Sequence, residues 1–176
     1  MGSGVITSDY LRSMARYNRW QNESVFDAAA GLGEDARRKD RGAFFQSIHG
    51  TLSHVYWADR IWLSRFDLCE PPDVPNPESG LFVDDFEELV VKRAVLDTTV
   101  SGFCDAYEAG PVKVSVEWYS GAIEANAKAP LGVVFTHFFN PQTHHRGQVH
   151  AMLTAAGAKP KETDLFLMPA ERWPGA

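Results

Sequence analysis

The sequence predicts an all-α protein, a four-helix bundle with a short β-hairpin before the last helix. Three observations predict it. Four long stretches space their apolar residues by three and four, the period of one helix face. Glycines and prolines mark where those stretches stop. A single segment departs from the pattern: Val112, Val114 and Val116 alternate with Lys113, Ser115 and Glu117, the period of a strand.

The first helix runs from about Ser8, its N-cap, to about Ala30, with Leu11, Met14, Asn18, Val25 and Leu32 near one stripe and Gly31 and Gly33 beyond its end. The second spans about Ala43 to Phe66, with Phe44, Ile48, Leu52, Val55, Trp62 and Phe66 on its apolar face. Pro71, Pro72, Pro75 and Pro77 preclude regular helix in the loop that follows. The third helix begins after Phe82, with Asp84 and Asp85 suited to its positive N-terminal end. Its stripe is Phe86, Leu89, Arg93, Leu96, Val100, Phe103 and Tyr107. After the alternating segment, Gly121 with Ile123 to Lys128 supplies the hairpin partner. Pro130 opens the fourth helix, whose stripe is Val134, Phe138, Pro141, His145, Gln148, Met152 and Ala155, ending at Gly157. The tail, 158–176, packs back on a core of about 9–157, so that 1–176 form one domain.

Composition narrows the function classes. Hydrophobic content of 44% and charged content of 23% suit a globular protein with its own core. A net charge of −6 argues against nonspecific nucleic-acid binding, which needs a basic face. The run Arg37, Arg38, Lys39 and Arg41 reads as solvated loop. No stretch approaches the roughly 20 apolar residues of a membrane span. Two distant cysteines, Cys69 and Cys104, fit no disulfide framework and suit the cytoplasm.

The functional signal lies in the polar residues that interrupt the stripes: Asn18, Arg93, His145 and Gln148, with His54 beside Val55. Burying an unpaired polar group costs roughly 1–3 kcal/mol, so these residues need partners. Four helices each directing a polar group toward the axis imply a shared polar pocket or metal site. Arg93 is expected to pair with a buried carboxylate such as Asp59. A pocket lined by Tyr17, His54, Trp57 and His145 is suited to a small ligand.

Four of the six histidines fall between His137 and His150. An inward histidine standing alone is more often a hydrogen-bonded core residue than a ligand, and His49 and His150 fit that description. His137 and His145 stand two turns apart, roughly 12 Å along the axis, too far to share one ion on a straight helix. His144 and His145 point about 100° apart. That leaves His145 as the ligand offered by the last helix, with His54 from the second as its partner. Pro141 is expected to bend or break the helix, or to restart it behind an Asn140 N-cap.

Tyr17-Asn18-Arg19-Trp20, the segments Ser47 to His54 and Trp57 to Phe66, His137-Phe138-Phe139-Asn140, and Thr143 to Gln148 resemble the DinB family. This is the damage-inducible DinB/YfiT-like group of metal-dependent enzymes, not the polymerase of the same name. The resemblance implies a four-helix bundle, often a homodimer, whose divalent metal, zinc or nickel, is held by three histidines. His54 matches the ligand from the second helix and His145 the last of a His-x-x-x-His pair. The middle position is Pro141, which has no side-chain donor. Some relatives are thiol-dependent transferases, so the resemblance implies a metal-dependent, transferase- or hydrolase-like enzyme acting on a small-molecule substrate. With the triad broken at Pro141, the alternative is a metal-free small-molecule-binding or stress-response protein.

Overall fold

Capping chemistry sets the helix boundaries in the computed structural model, which describes residues 6–108, 115–121 and 123–175. Helix α1 (Ser8–Ala30) starts one residue after its cap: the Thr7 hydroxyl, not Ser8, accepts from the Tyr10 amide at 3.1 Å. A short helix α2 (Glu34–Arg38) follows. It takes in Arg37 and Arg38 of the basic run. Arg37 is buried, donates to the Leu32 carbonyl and lies 4.2 Å from the Phe86 ring centre, while Arg38 pairs with Glu34 and Asp84.

Helix α3 (Ile48–Ser64) begins five residues later than the apolar pattern predicts. Ala43 and Gln46 pair as an isolated bridge, Gln46 takes a left-handed φ of 63°, and the Ser47 hydroxyl caps the Gly50 amide at 3.0 Å. The loop crosses so near the helix that a Cβ on Gly50 would lie 2.4 Å from the Phe45 carbonyl oxygen. Only glycine permits that approach. A 3-10 turn, Asn76–Leu81, lies against α3. Asp85 caps α4 (Phe86–Ala106), its carboxylate accepting from the Glu88 amide at 2.7 Å.

Strands β1 (Ser115–Ser120) and β2 (Ala125–Pro130) form an antiparallel hairpin with Ser115 opposite Pro130. Val112 and Val114 of the alternating segment lie outside the described residues. Helix α5 (Leu131–Ala155) then runs without interruption through Pro141. The expected break or restart does not occur.

Helix α1 packs on α4 and α5, and α3 packs on α5 and α4. Leu11, Val25, Ile48, Leu52, Leu63, Leu89, Val149 and Leu153 are almost fully buried between them. Each such side chain contributes roughly 1.5–3 kcal/mol through removal from water. The tail lies on α1, where Tyr17 donates to the Thr163 carbonyl, Gln21 to the Glu162 carbonyl, and Arg172 pairs with Glu23. Among the described residues, no helix is long and apolar enough to cross a membrane.

A polar layer crosses the middle of this core. Arg93 is 2% exposed and donates to Asp59 at 2.6 Å and to Asp97 at 2.8 Å. Asn22 donates to Asp97, Gln142 to Asp59, and Arg146 to Asn18. Burial pushes the Asp59 carboxyl upward, yet both its oxygens already accept hydrogen bonds, from Arg93 and from Gln142. The Arg93 charge and these two hydrogen bonds oppose that shift. Two guanidinium groups and two carboxyl groups thus share one buried layer.

That layer also fixes the rotation of α5. Its inward residues are Phe138, Gln142, Arg146, Val149 and Leu153. Val134, Phe138 and Met152 of the expected stripe are buried, but between them Gln142, Arg146 and Val149 face inward in place of Pro141, His145 and Gln148. Those three stand at the edge of the core, partly exposed, along the flank that faces α3.

Candidate metal and ligand site

The flank where α3 meets α5 brings together the two histidines singled out in the sequence. His54 and His145 have ring centres 4.7 Å apart with planes at 79°. Two imidazoles on one zinc, each at about 2.0–2.1 Å through nitrogen, have ring centres about 5 Å apart. The spacing therefore suits a shared ion.

Hydrogen bonds fix the tautomers of both rings. The Ser79 hydroxyl donates to the Asn76 carbonyl at 2.6 Å, so its oxygen accepts from His54 Nδ1–H at 2.8 Å. His145 Nδ1–H donates to the Gln148 side-chain oxygen at 2.8 Å. Among the described residues neither Nε2 has a hydrogen-bond partner, the arrangement used by metal-bound histidines whose other nitrogen is anchored.

Burial, with His145 beside it, pushes His54 down to about 3, and burial also lowers His145. Both rings are neutral at neutral pH. In the unfolded chain a histidine titrates near 6.5. Between that value and about 3, the unfolded chain takes up a proton that the folded chain refuses. Stability therefore falls as pH drops through this window. His54 alone is expected to remove about 2 kcal/mol between pH 7 and pH 5. Urea midpoints of chelator-treated protein measure this. His54→Gln should flatten the pH dependence by that amount, and an unchanged slope would refute the assignment.

Aromatic rings wall the pair. Phe45 stacks on His54 with ring centres 3.7 Å apart and meets His145 edge-on at 5.6 Å, while Trp57 lies 5.9 Å from His54. Trp57 is fixed by donation to the Val74 carbonyl. Phe45 and Ser79 are site residues that the sequence reading missed. The Ser47 cap is the signal for Phe45, because it ends the loop directly before α3. Nothing local marks Ser79.

The other sequence candidates fall elsewhere. His49 is 2% exposed and donates to the Val83 carbonyl, a core histidine as expected. Tyr17 turns away to the tail, its ring 5.9 Å from the Arg146 guanidinium. His144 is exposed beside His145, and His137 packs on Trp62 at 4.9 Å.

A small cavity of about 20 Å³ opens next to Pro141. Val55, Ala58, Trp62 and Phe138 form its apolar walls, and His145, Asp59 and Gln142 reach it from the polar side. Gln142 Oε1 is buried there without a hydrogen-bond partner. Among the described residues, no three His, Cys, Asp or Glu side chains gather to hold an ion. The donor set is two histidines with free Nε2 atoms, which fits a divalent ion held with several open positions.

The model of the DinB family matches residues 7–173. The chain belongs to the DinB family. It is also similar to Protein DinB of Bacillus subtilis strain 168, with 25% identity over 176 residues, covering 94% of this chain and 99% of the relative. No solved structure matches it significantly. The helical bundle that the resemblance implied is the fold observed. In this DinB chain Pro141 stands one turn before His145, on the flank that also carries the cavity.

Proposed function

We propose that this DinB-family chain is a small-molecule enzyme that works with a divalent ion held by His54 and His145. The observation that carries this reading is the pair of fixed tautomers, which leaves two Nε2 lone pairs on facing helices. Ser79 and Gln148 orient the rings. Phe45 and Trp57 shield them from water. A zinc- or nickel-type ion in such a setting supplies Lewis acidity, which eases deprotonation of a thiol or water.

The reaction class proposed is thiol transfer, with the thiol arriving on a substrate. The chain's own cysteines do not suit a nucleophile's part. Burial pushes the Cys104 thiol up to about 12, and Cys69 is partly buried and donates to the Arg60 carbonyl. A reactive thiol needs the opposite surroundings, electropositive and accessible.

Calorimetric titration of tag-free, chelator-stripped protein with zinc or nickel tests the metal reading. One ion per chain is expected, with affinity at least about 100-fold weaker in His54→Ala and His145→Ala. Absence of binding after incubation with either ion would sink it. A second reading, a metal-free ligand-binding protein, draws on Pro141 and on the Phe45 ring lying flat against His54. It requires small-molecule binding that is indifferent to chelator and survives His145→Ala.

A further inference from the structure

The C-terminal end of α3 carries a second cluster that the histidine site does not use. The Arg65 guanidinium lies 4.1 Å from the Trp62 ring centre and 5.3 Å from that of Trp118 on β1. The two indoles meet edge-to-face at 5.3 Å, and His137 packs on Trp62. Stacking on aromatic faces and the negative end of a helix both favour a cation here, and these account for its position. They do not satisfy its hydrogen bonds.

A guanidinium carries five N–H donors in one plane. Among the described residues, no carboxylate, carbonyl or amide accepts from those of Arg65, although the side chain is partly buried. Burial pulls Arg65 down to about 10, with no acidic neighbour opposing it. Contrast Arg93, Arg37, Arg38 and Arg146, each of which donates within the chain. The two indole rings beside it offer no oxygen acceptor, so they leave the edge of its donor fork unsatisfied. A planar carboxylate meets such an edge with two parallel hydrogen bonds.

Trp62 connects this cluster to the histidine site. It packs against Arg65 and His137, and it also forms a wall of the cavity beside Pro141 and His145. We infer that Arg65, seated on Trp62 and Trp118, is the docking point for the carboxylate of a substrate whose apolar body lies over Trp62 toward Pro141. The reacting end of that substrate then points to His145. This last step rests on the function proposed above, whereas the carboxylate dock itself does not need a metal.

The test uses 3-phenylpropanoate as probe and its neutral isostere 3-phenylpropanamide, followed by tryptophan fluorescence on chelator-stripped, full-length protein. Saturable quenching by the carboxylate is expected, with the amide bound about tenfold more weakly or worse. Arg65→Gln should lose the same factor, and its urea midpoint shows whether it is folded. The comparison of the two probes on the unmutated chain stands even if that variant fails. Equal affinity for carboxylate and amide, no saturable binding, or a folded Arg65→Gln that binds as tightly would each overturn the inference. Loss of ion binding in the unmutated chain with the Arg65 dependence intact defeats only the metal reading. Ion binding without Arg65 dependence defeats only the dock.

Discussion

Arg93→Leu is expected to destabilise the protein by about 3–5 kcal/mol, the penalty for removing one partner of a fully buried ion pair. In a domain of this size that lowers the melting temperature by roughly 10 °C. The effect is large because two carboxylates depend on one guanidinium. Asp59 and Asp97 are 1% and 3% exposed, and without Arg93 they would face each other across the core with only Gln142 and Asn22 as donors. Arg93→Lys should recover only part of the loss, since an ammonium cannot place two N–H groups along both pairs at once. Adding Asp59→Asn to Arg93→Leu should relieve part of the damage by removing a stranded charge. Urea denaturation of the single and double variants measures the coupling. A loss below about 1 kcal/mol for Arg93→Leu would mean that the layer is hydrated and that the pairs are worth no more than surface ones.

This layer shows where the sequence was legible. Asn18 and Arg93 interrupt otherwise apolar stripes, and the pairing of Arg93 with Asp59 follows from the rule that a buried charge needs an opposite one. All four long helices were readable because caps and breakers stand beside strong three-and-four spacing: Gly31 after α1, Asp85 before α4, Pro130 before α5. The rotation of α5 was not readable. On a wheel centred on Pro141 and His145, Gln142 and Arg146 fall beside the core face, yet they are 2% and 6% exposed. What turns the helix is a set of partners on two other helices, Asp59 on α3 and Asn18 on α1, information that no window of α5 contains. Phe45 and Ser79 escaped for a related reason. Their roles arise where the loop before α3 and the turn at Asn76–Leu81 pass over the helix, contacts set by tertiary structure.

Replacing Pro141 is the change expected to alter both stability and metal binding. A proline inside a helix removes one backbone donor and crowds the preceding turn, at about 3 kcal/mol relative to alanine. Here the carbonyl deprived of its donor is that of His137. Proline also stiffens the unfolded chain, which returns about 0.4–1 kcal/mol to the folded state. Pro141→Ala is therefore expected to stabilise the chain by about 2 kcal/mol. A destabilised Pro141→Ala would show that the ring's packing in the cleft outweighs the backbone defect, since Pro141 forms part of that wall. Pro141→His shares the backbone gain and adds an imidazole one turn before His145, where i and i+4 side chains meet. If an ion sits between His54 and His145, a third ligand on the same flank should raise zinc affinity by about 100-fold or more. Calorimetry on Pro141→His, with Pro141→Ala as the control for helix repair, separates the two effects. Zinc affinity no better in Pro141→His than in Pro141→Ala would place the ion away from these histidines and leave the metal-free reading. A gain confined to Pro141→His, and lost again on adding His54→Ala, would locate the ion at the interface of α3 and α5. In that case the proline is what makes the unmutated site a two-ligand one, trading affinity for coordination positions open to substrate.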